Sequence, residues 1–397
     1  MYNFDEIIDR KNTDCVKYER CEALFGSADV IPLWVADMDF RTPNFIIDAI
    51  KNRLEHPVLG YTMPSKDFPE ITRKWISEHH SWDLKQEWLG FVPGIVPGLA
   101  FAVQTYTNAG DEVIVQPPVY YPFFNVVKNN GRTLIFNQLK EETGKYIMDL
   151  DNFEKQITPR TRLFILCNPH NPGGRVWTRD ELLAVAKVCE RHNIMVISDE
   201  IHADMVLPSS SEKHTPFASI NDWAENHSFT LMSPTKVFNM PGVISSCYII
   251  PNKELRLKYT EHLEAFEMTG GNIFSYLAAE AAYKNGEQWR VEMLDYVQGN
   301  INFVANFLKT NIPQITPMLP EASFLVWLNC KNLGMETDEL HQFVSLKAHL
   351  GLNKGSIFGI GGEYHLRLNV ACPRSILEQA LKQLKKAIFN YELGIRN

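Results

Sequence analysis

The chain has 397 residues, 45% hydrophobic and 22% charged, with a formal net charge of −8. These proportions suit a globular protein with room for two domains of about 100–200 residues, and exclude a collagen-like or fully disordered chain. The acidic balance offers no electrostatic footprint for nucleic acid or an anionic lipid surface, so neither is expected as a partner.

The chain starts MYNFDEIIDR, where Asp5, Glu6 and Asp9 stand in place of the basic residues and apolar stretch of a secretory leader. No apolar run approaches the roughly 20 residues of a spanning helix, so no membrane partner is expected. The seven cysteines are an odd number and form no C-x-x-C pair. Free thiols in the reducing cytoplasm are the expectation. Residues 1–45 are expected to form an arm that joins a small domain, ahead of a large domain over 46–286.

Within the large domain, the histidine pair His79-His80 reads as a solvated helix end without metal-ligand spacing, and no metal is expected. A short strand then leads into PGIVPGL (93–99), which opens a helix-like stretch. Continuous apolar runs follow at 112–118, 162–169, 194–200, 229–234 and 246–251, most of them rich in Val and Ile and closed by Pro, Asn or Asp. They read as buried strands. A helix fits at 178–192, with Thr178 as its cap. Strands of this kind alternating with helices predict an α/β fold with a mostly parallel central sheet covered by helices.

From residue 287 the texture changes. A long helix at 287–309, a strand at 323–330, a helix at 337–350, a strand at 365–372 and a terminal helix at 375–391 predict a smaller α+β domain over 287–397. The glycine-rich FGIGGEYH (358–365) has Tyr364 where a dinucleotide motif needs its third glycine, and reads as a loop.

In open α/β sheets ligands gather at the carboxyl ends of strands. Four segments stand there or on a strand: CNPHNPGG (167–174), SDEIH (198–202), SPTK (233–236) and HLRLN (365–369). Asp199 and Lys236 close two different strands and can bracket one flat ligand. In this order and spacing the segments resemble the fold-type-I enzymes of the aminotransferase class I/II superfamily, which use pyridoxal 5′-phosphate (PLP).

The resemblance implies roles residue by residue. Lys236 is the lysine that carries PLP covalently and takes the substrate Cα proton. Asp199 is the carboxylate that keeps the pyridine nitrogen protonated, and Asn171 the donor to the ring hydroxyl oxygen. Tyr120 is the ring that stacks on the cofactor, with Tyr121 beside it on the substrate side. The phosphate falls to the amides of Ile95 and Val96 at a helix start, with the hydroxyls of Ser233 and Tyr61. In the family that tyrosine comes from the other subunit, which implies a homodimer with shared active sites. Arg367 is the arginine that grips the substrate α-carboxylate with two parallel hydrogen bonds.

Two positions depart from the pattern common among aminotransferases. His202 stands where many have a tyrosine, and Ile244 where many have an arginine closing on the phosphate. His202 either hydrogen-bonds near the ring hydroxyl or is a packed strand-end residue. PLWVADMDF (32–40), GYT (60–62), DEIHAD (199–204), SPTKVFN (233–239) and RLNVACPR (367–374) resemble the cystathionine β-lyase/cystalysin group of carbon–sulfur lyases. In relatives, backbone groups at Val35 and Ala36 lie near the substrate carboxylate. The implied reaction is β-elimination from an S-substituted L-cysteine, a small-molecule substrate, giving a thiol, pyruvate and ammonia. An aminotransferase shares the same catalytic residues, and a regulatory or binding protein on this scaffold is a third reading.

Overall fold

Apolar runs that continue without alternation demand burial on both faces, and the computed structural model, which describes residues 1–394, supplies it. Seven strands make the central sheet: β1 (Leu89–Val92), β2 (Glu112–Val115), β3 (Thr133–Phe136), β4 (Thr161–Cys167), β5 (Met195–Asp199), β6 (Ser228–Met232) and β7 (Ser246–Ile249). Their spatial order is β1-β7-β6-β5-β4-β2-β3. Pairing is parallel from β6 through β5, β4 and β2 to β3, with Ile165 opposite Ile197. Only β7 runs against its neighbours, β1 and β6.

The expected strands are present and shorter than the apolar runs that announced them. β2 ends at Val115, ahead of Gln116 and two prolines, and β4 ends ahead of Asn168 and Pro169. A proline has no N–H to give a ladder, so pairing stops there. β3 and a hairpin of residues 140–142 with 145–147 are additions that the apolar runs did not mark.

Four of the helices position the site or back the smaller sheet: α1 (Ile95–Tyr106), α2 (Arg179–Arg191), α3 (Glu287–Asn311) and α4 (Arg374–Glu392). α2 opens with a capping box, in which the Thr178 hydroxyl accepts from the Glu181 amide at 3.2 Å and the Glu181 carboxylate accepts from the Thr178 amide at 2.8 Å. The smaller sheet is antiparallel and contains β8 (Thr316–Met318), β9 (Leu325–Asn329), β10 (Asn353–Lys354) and β11 (His365–Asn369), in the order β8-β9-β11-β10. α3 and α4 share one apolar core with it, including Leu308, Leu384, Leu328 and Leu366. The helix expected over 337–350 stops at Leu346, because residues 350–351 pair in parallel with 31–32. The start of the chain is thereby tied to its last quarter.

His79-His80 departs from expectation. His80 is buried, with Nε2 at 2.9 Å from an Asp204 carboxylate oxygen that also accepts from Trp75 Nε1 at 3.0 Å. A buried imidazole needs such a partner. Among the described residues no group of three metal-ligating side chains occurs, and no helix is long and apolar enough to cross a membrane.

Candidate active site

The carboxyl ends of β4, β5 and β6 open on a cavity of about 220 Å³. Asn171, Asp199, His202 and Lys236 line it, each a few residues beyond a strand or at its last position. Tyr120 and Cys167 complete that side, while Gly94, Ile95, Val96 and Pro97 bring the start of α1 to the wall. Gly94 holds φ at 139°, a value that side-chain-bearing residues avoid, and so turns β1 into α1 over a short distance. The unpaired N–H groups of the first helical turn make this wall receptive to an anion.

Asp199 is buried, and its carboxyl accepts one hydrogen bond among the described residues, from the Ile201 amide at 3.1 Å. Burial is the main reason that its pKa is pushed up to about 7, with Glu200 adding to the rise and Lys236 opposing it. A carboxyl held this way accepts readily from a cationic N–H placed opposite it. Lys236 shows the converse. Burial lowers its pKa to about 8, Asp37 and Asp199 resist that fall, and Arg367 adds to it. Its Nζ donates to the carbonyl of Ala36 at 2.6 Å.

His202 is buried, and burial with the nearby Lys236 and Arg367 charges lowers its pKa to about 3. It is therefore neutral near pH 7, and its buried Nδ1 has no hydrogen-bond partner among the described residues. His202 is both packed at the end of β5 and on the cavity wall.

Arg367, on β11, is only 4% exposed. It donates to Asn171 Oδ1 at 3.1 Å, to the Trp34 carbonyl at 2.9 Å and to Asn353 Oδ1 at 2.7 Å, while Nε has no partner. Its pKa falls to about 10 through burial, opposed by Tyr120 and Tyr121. With Asn171 Oδ1 engaged, the amide nitrogen of Asn171 is the group able to donate.

Some expected residues stand elsewhere. Ser233 is buried, donates to the Ser245 carbonyl at 2.6 Å and sits 2.7 Å from Thr235 Oγ1. Thr235, Ser245 and Ser246 reach the cavity wall and Ser233 does not. Val35 likewise stays off the wall, where Ala36 is present, and Arg367 stands behind it, joined to the wall through Asn171. Tyr121 is 38% exposed and Tyr61 fully exposed, both outside this chain's own cavity. Ile244 lines the wall with φ at 55°, an uncommon conformation for a β-branched residue.

Sequence reasoning passed over two asparagines. Asn239 accepts from the Met38 amide at 2.9 Å and donates to the carbonyls of Met38 and Phe40. Asn369 donates to the carbonyls of Val35 and Asp37 at 2.7 and 2.6 Å. The available signal was an amide side chain inside an apolar context, in VFNM and LRLNV, where every donor and acceptor needs a partner.

The family described as Aminotransferase class I and II matches residues 28–384. Cystathionine beta-lyase PatB of Bacillus subtilis (strain 168) is 41% identical over 387 residues, spanning 97% of this chain and 100% of the relative. The structure of PLP-containing cystalysin from Treponema denticola superposes with a TM-score of 0.95 at 34% identity, covering 98% of this chain and 100% of that one. The PLP-bound C-S lyase from Staphylococcus hominis gives 0.90 at 33% identity, covering 98% of both chains.

Proposed function

The chain belongs to the aminotransferase class I and II family, and from that premise we propose that it is a PLP-dependent carbon–sulfur lyase acting on S-substituted L-cysteines such as L-cystathionine. The observation that carries this reading is the convergence of Lys236, Asp199 and the start of α1 on one cavity. The likeness over nearly the full chain to a cystathionine beta-lyase and to PLP-bound C-S lyases supports it.

The residues present fit the cofactor. Asp199 offers an under-partnered carboxyl for a pyridinium N–H, and α1 offers backbone donors at Ile95 and Val96 for a phosphate. Tyr120 flanks the same space, and Asn171 can donate to a ring oxygen. Thr235 stands on the wall as a further hydroxyl in the place expected of Ser233.

Bound PLP supplies an aldehyde for amine attachment and a ring that takes up the electron pair left when the substrate Cα loses its proton. Lys236 would hold the cofactor, and its neutral amine would accept the substrate Cα proton. Arg367 would hold the α-carboxylate, with the backbone at Ala36 beside it. The Cβ–S bond breaks with its electron pair on sulfur, the thiolate takes up a proton, and the three-carbon remainder gains water to leave as pyruvate and ammonia.

Mixing the purified protein with PLP and L-cystathionine tests this, with pyruvate and free thiol followed together. Equal amounts of both without an added 2-oxo acid are expected. No pyruvate, with the cofactor converted to an amine form that a 2-oxo acid reverses, makes the protein an aminotransferase instead.

Three further assignments belong to the same reading. The working unit is a homodimer in which exposed Tyr61 reaches the partner's phosphate site. The location is the cytoplasm, supported by seven cysteines that are all free. The large domain spans 46–286 and the small one 287–397, with 1–45 as an arm, supported by the 31–32 with 350–351 pairing and by α3 starting at Glu287.

A further inference from the structure

Residues 34–39 belong to no helix or strand, yet both key cations of the site rest on their carbonyls. Arg367 donates to Trp34 at 2.9 Å and Lys236 to Ala36 at 2.6 Å. A segment outside regular structure has no ladder to fix its carbonyls, so other groups must hold it. Asn239 and Asn369 take its backbone groups. Its two carboxylates are taken by residues that the site does not otherwise use.

Lys17, on the short helix Val16–Glu19, is 0% exposed. Its Nζ lies 2.6 Å from Asp39 and 3.6 Å from Asp37. Arg10 lies 2.6 Å from Asp37 and 2.7 Å from Asp39, and also donates to the Met38 carbonyl at 3.1 Å. The Lys17 carbonyl accepts from Trp34 Nε1 at 2.9 Å. Apolar residues of similar volume are often as stable as a buried ion cluster, so stability alone does not account for this one. The cluster gives a fixed geometry, with two cations and two anions locking a six-residue strap at both carboxylates.

We propose that Lys17 and Arg10 are positioning residues of the active site: through Asp37 and Asp39 they lock residues 34–39 so that the Trp34 and Ala36 carbonyls set Arg367 and Lys236 for substrate. The proposal rests on the reading of this cavity as a PLP-dependent lyase site. Asp37 is in addition the charge that does most to sustain the basicity of Lys236 against burial.

The test uses Arg10→Gln, because Arg10 is at the rim of the cluster and its loss leaves Lys17 to hold both carboxylates. Hydrogen exchange of the holoenzyme is read together with steady-state kinetics on L-cystathionine. The Met38 and Asp39 amides, bonded to Asn239 Oδ1 and the Ala371 carbonyl, are expected to exchange about tenfold faster, with β4 and β5 unchanged. kcat/KM is expected to fall about tenfold, mainly through KM, as Arg367 loses its setting. Arg10→Lys is expected to recover much of both. The double variant Lys17→Met/Asp39→Leu removes a buried pair without leaving a lone charge, and the same two changes are expected in it.

A lower melting temperature with exchange and KM both unaltered makes the cluster purely structural and overturns the proposal. Faster exchange with unaltered KM, or a raised KM with unaltered exchange, overturns it equally, since the strap and the site are then uncoupled. If the wild-type holoenzyme does not turn over L-cystathionine, the lyase reading falls by itself. The Kd for L-alanine, read from the cofactor absorbance, then replaces KM in the same comparison.

Discussion

Lys236 stands where a lysine is least comfortable as a cation. Burial brings its pKa down to about 8 from an ordinary 10.5, which leaves about a tenth of it neutral at pH 7. The neutral amine is the form that attacks an aldehyde, so PLP uptake by the apoprotein should accelerate as pH rises through about 8 and level off above it. Stopped-flow absorbance across pH 6.5–9.5 reads this, with Lys236→Ala as the flat control. A midpoint near 10 would mean that burial does not govern the amine. The sign for stability comes from the same shift. Between about 8 and 10.5 the unfolded chain binds more protons at this lysine than the folded one. The penalty of burying it is therefore full below 8 and fades as pH rises to 10.5. Asp199 works oppositely: with its pKa raised from 3.8 to about 7, its cost grows as pH climbs through that window. Both costs belong to the apoprotein, where neither group has the counterpart that PLP would bring.

At the scale of elements, the site is a set of strand ends and one helix start. Thr178 and Glu181 show how such elements are placed, because their capping box fixes where α2 begins, immediately after the loop carrying Asn171. Thr178→Ala should lower stability by about 1 kcal/mol in urea unfolding, with turnover little changed, since Thr178 does not line the cavity. A loss near zero would mean that the Glu181 pairing with Arg175, at 2.8–3.0 Å, holds the helix start alone. Element type was legible from local pattern: buried parallel strands are uninterrupted apolar runs, and α2 has both cap and period. Direction and exact ends were not. β7 has the same apolar pattern as the parallel strands of the sheet and runs the other way, because the pattern records burial and not polarity. The overlong reading of 337–350 failed because pairing with 31–32 is a contact across more than 300 positions.

For the whole molecule, the question of function becomes one of assembly. Tyr61 is fully exposed, between exposed Leu59 and Met63. If each site takes Tyr61 from the partner, Tyr61→Ala and Lys236→Ala proteins should each be nearly inactive alone. Refolded together they form hybrids in which one of two sites has both residues. Random pairing then restores about a quarter of wild-type activity. No recovery on mixing would place Tyr61 outside the shared site.

The sequence by itself determined the chemistry and its order along the chain. Asp199, Asn171 and Lys236 were legible because each follows an apolar run, and the run and its end are encoded by neighbours a few positions apart. The family resemblance drew on the same local segments. Only the tertiary structure decided which side chains meet. It turned Ser233 inward and Thr235 to the wall, buried His80 against Asp204, and brought Lys17 under Asp39 to anchor the strap that Lys236 and Arg367 share. The physical reason is distance along the chain. Lys17, Asp39, Lys236 and Arg367 are separated by up to 350 positions, and their meeting is set by how two sheets and an arm pack, which no local pattern records.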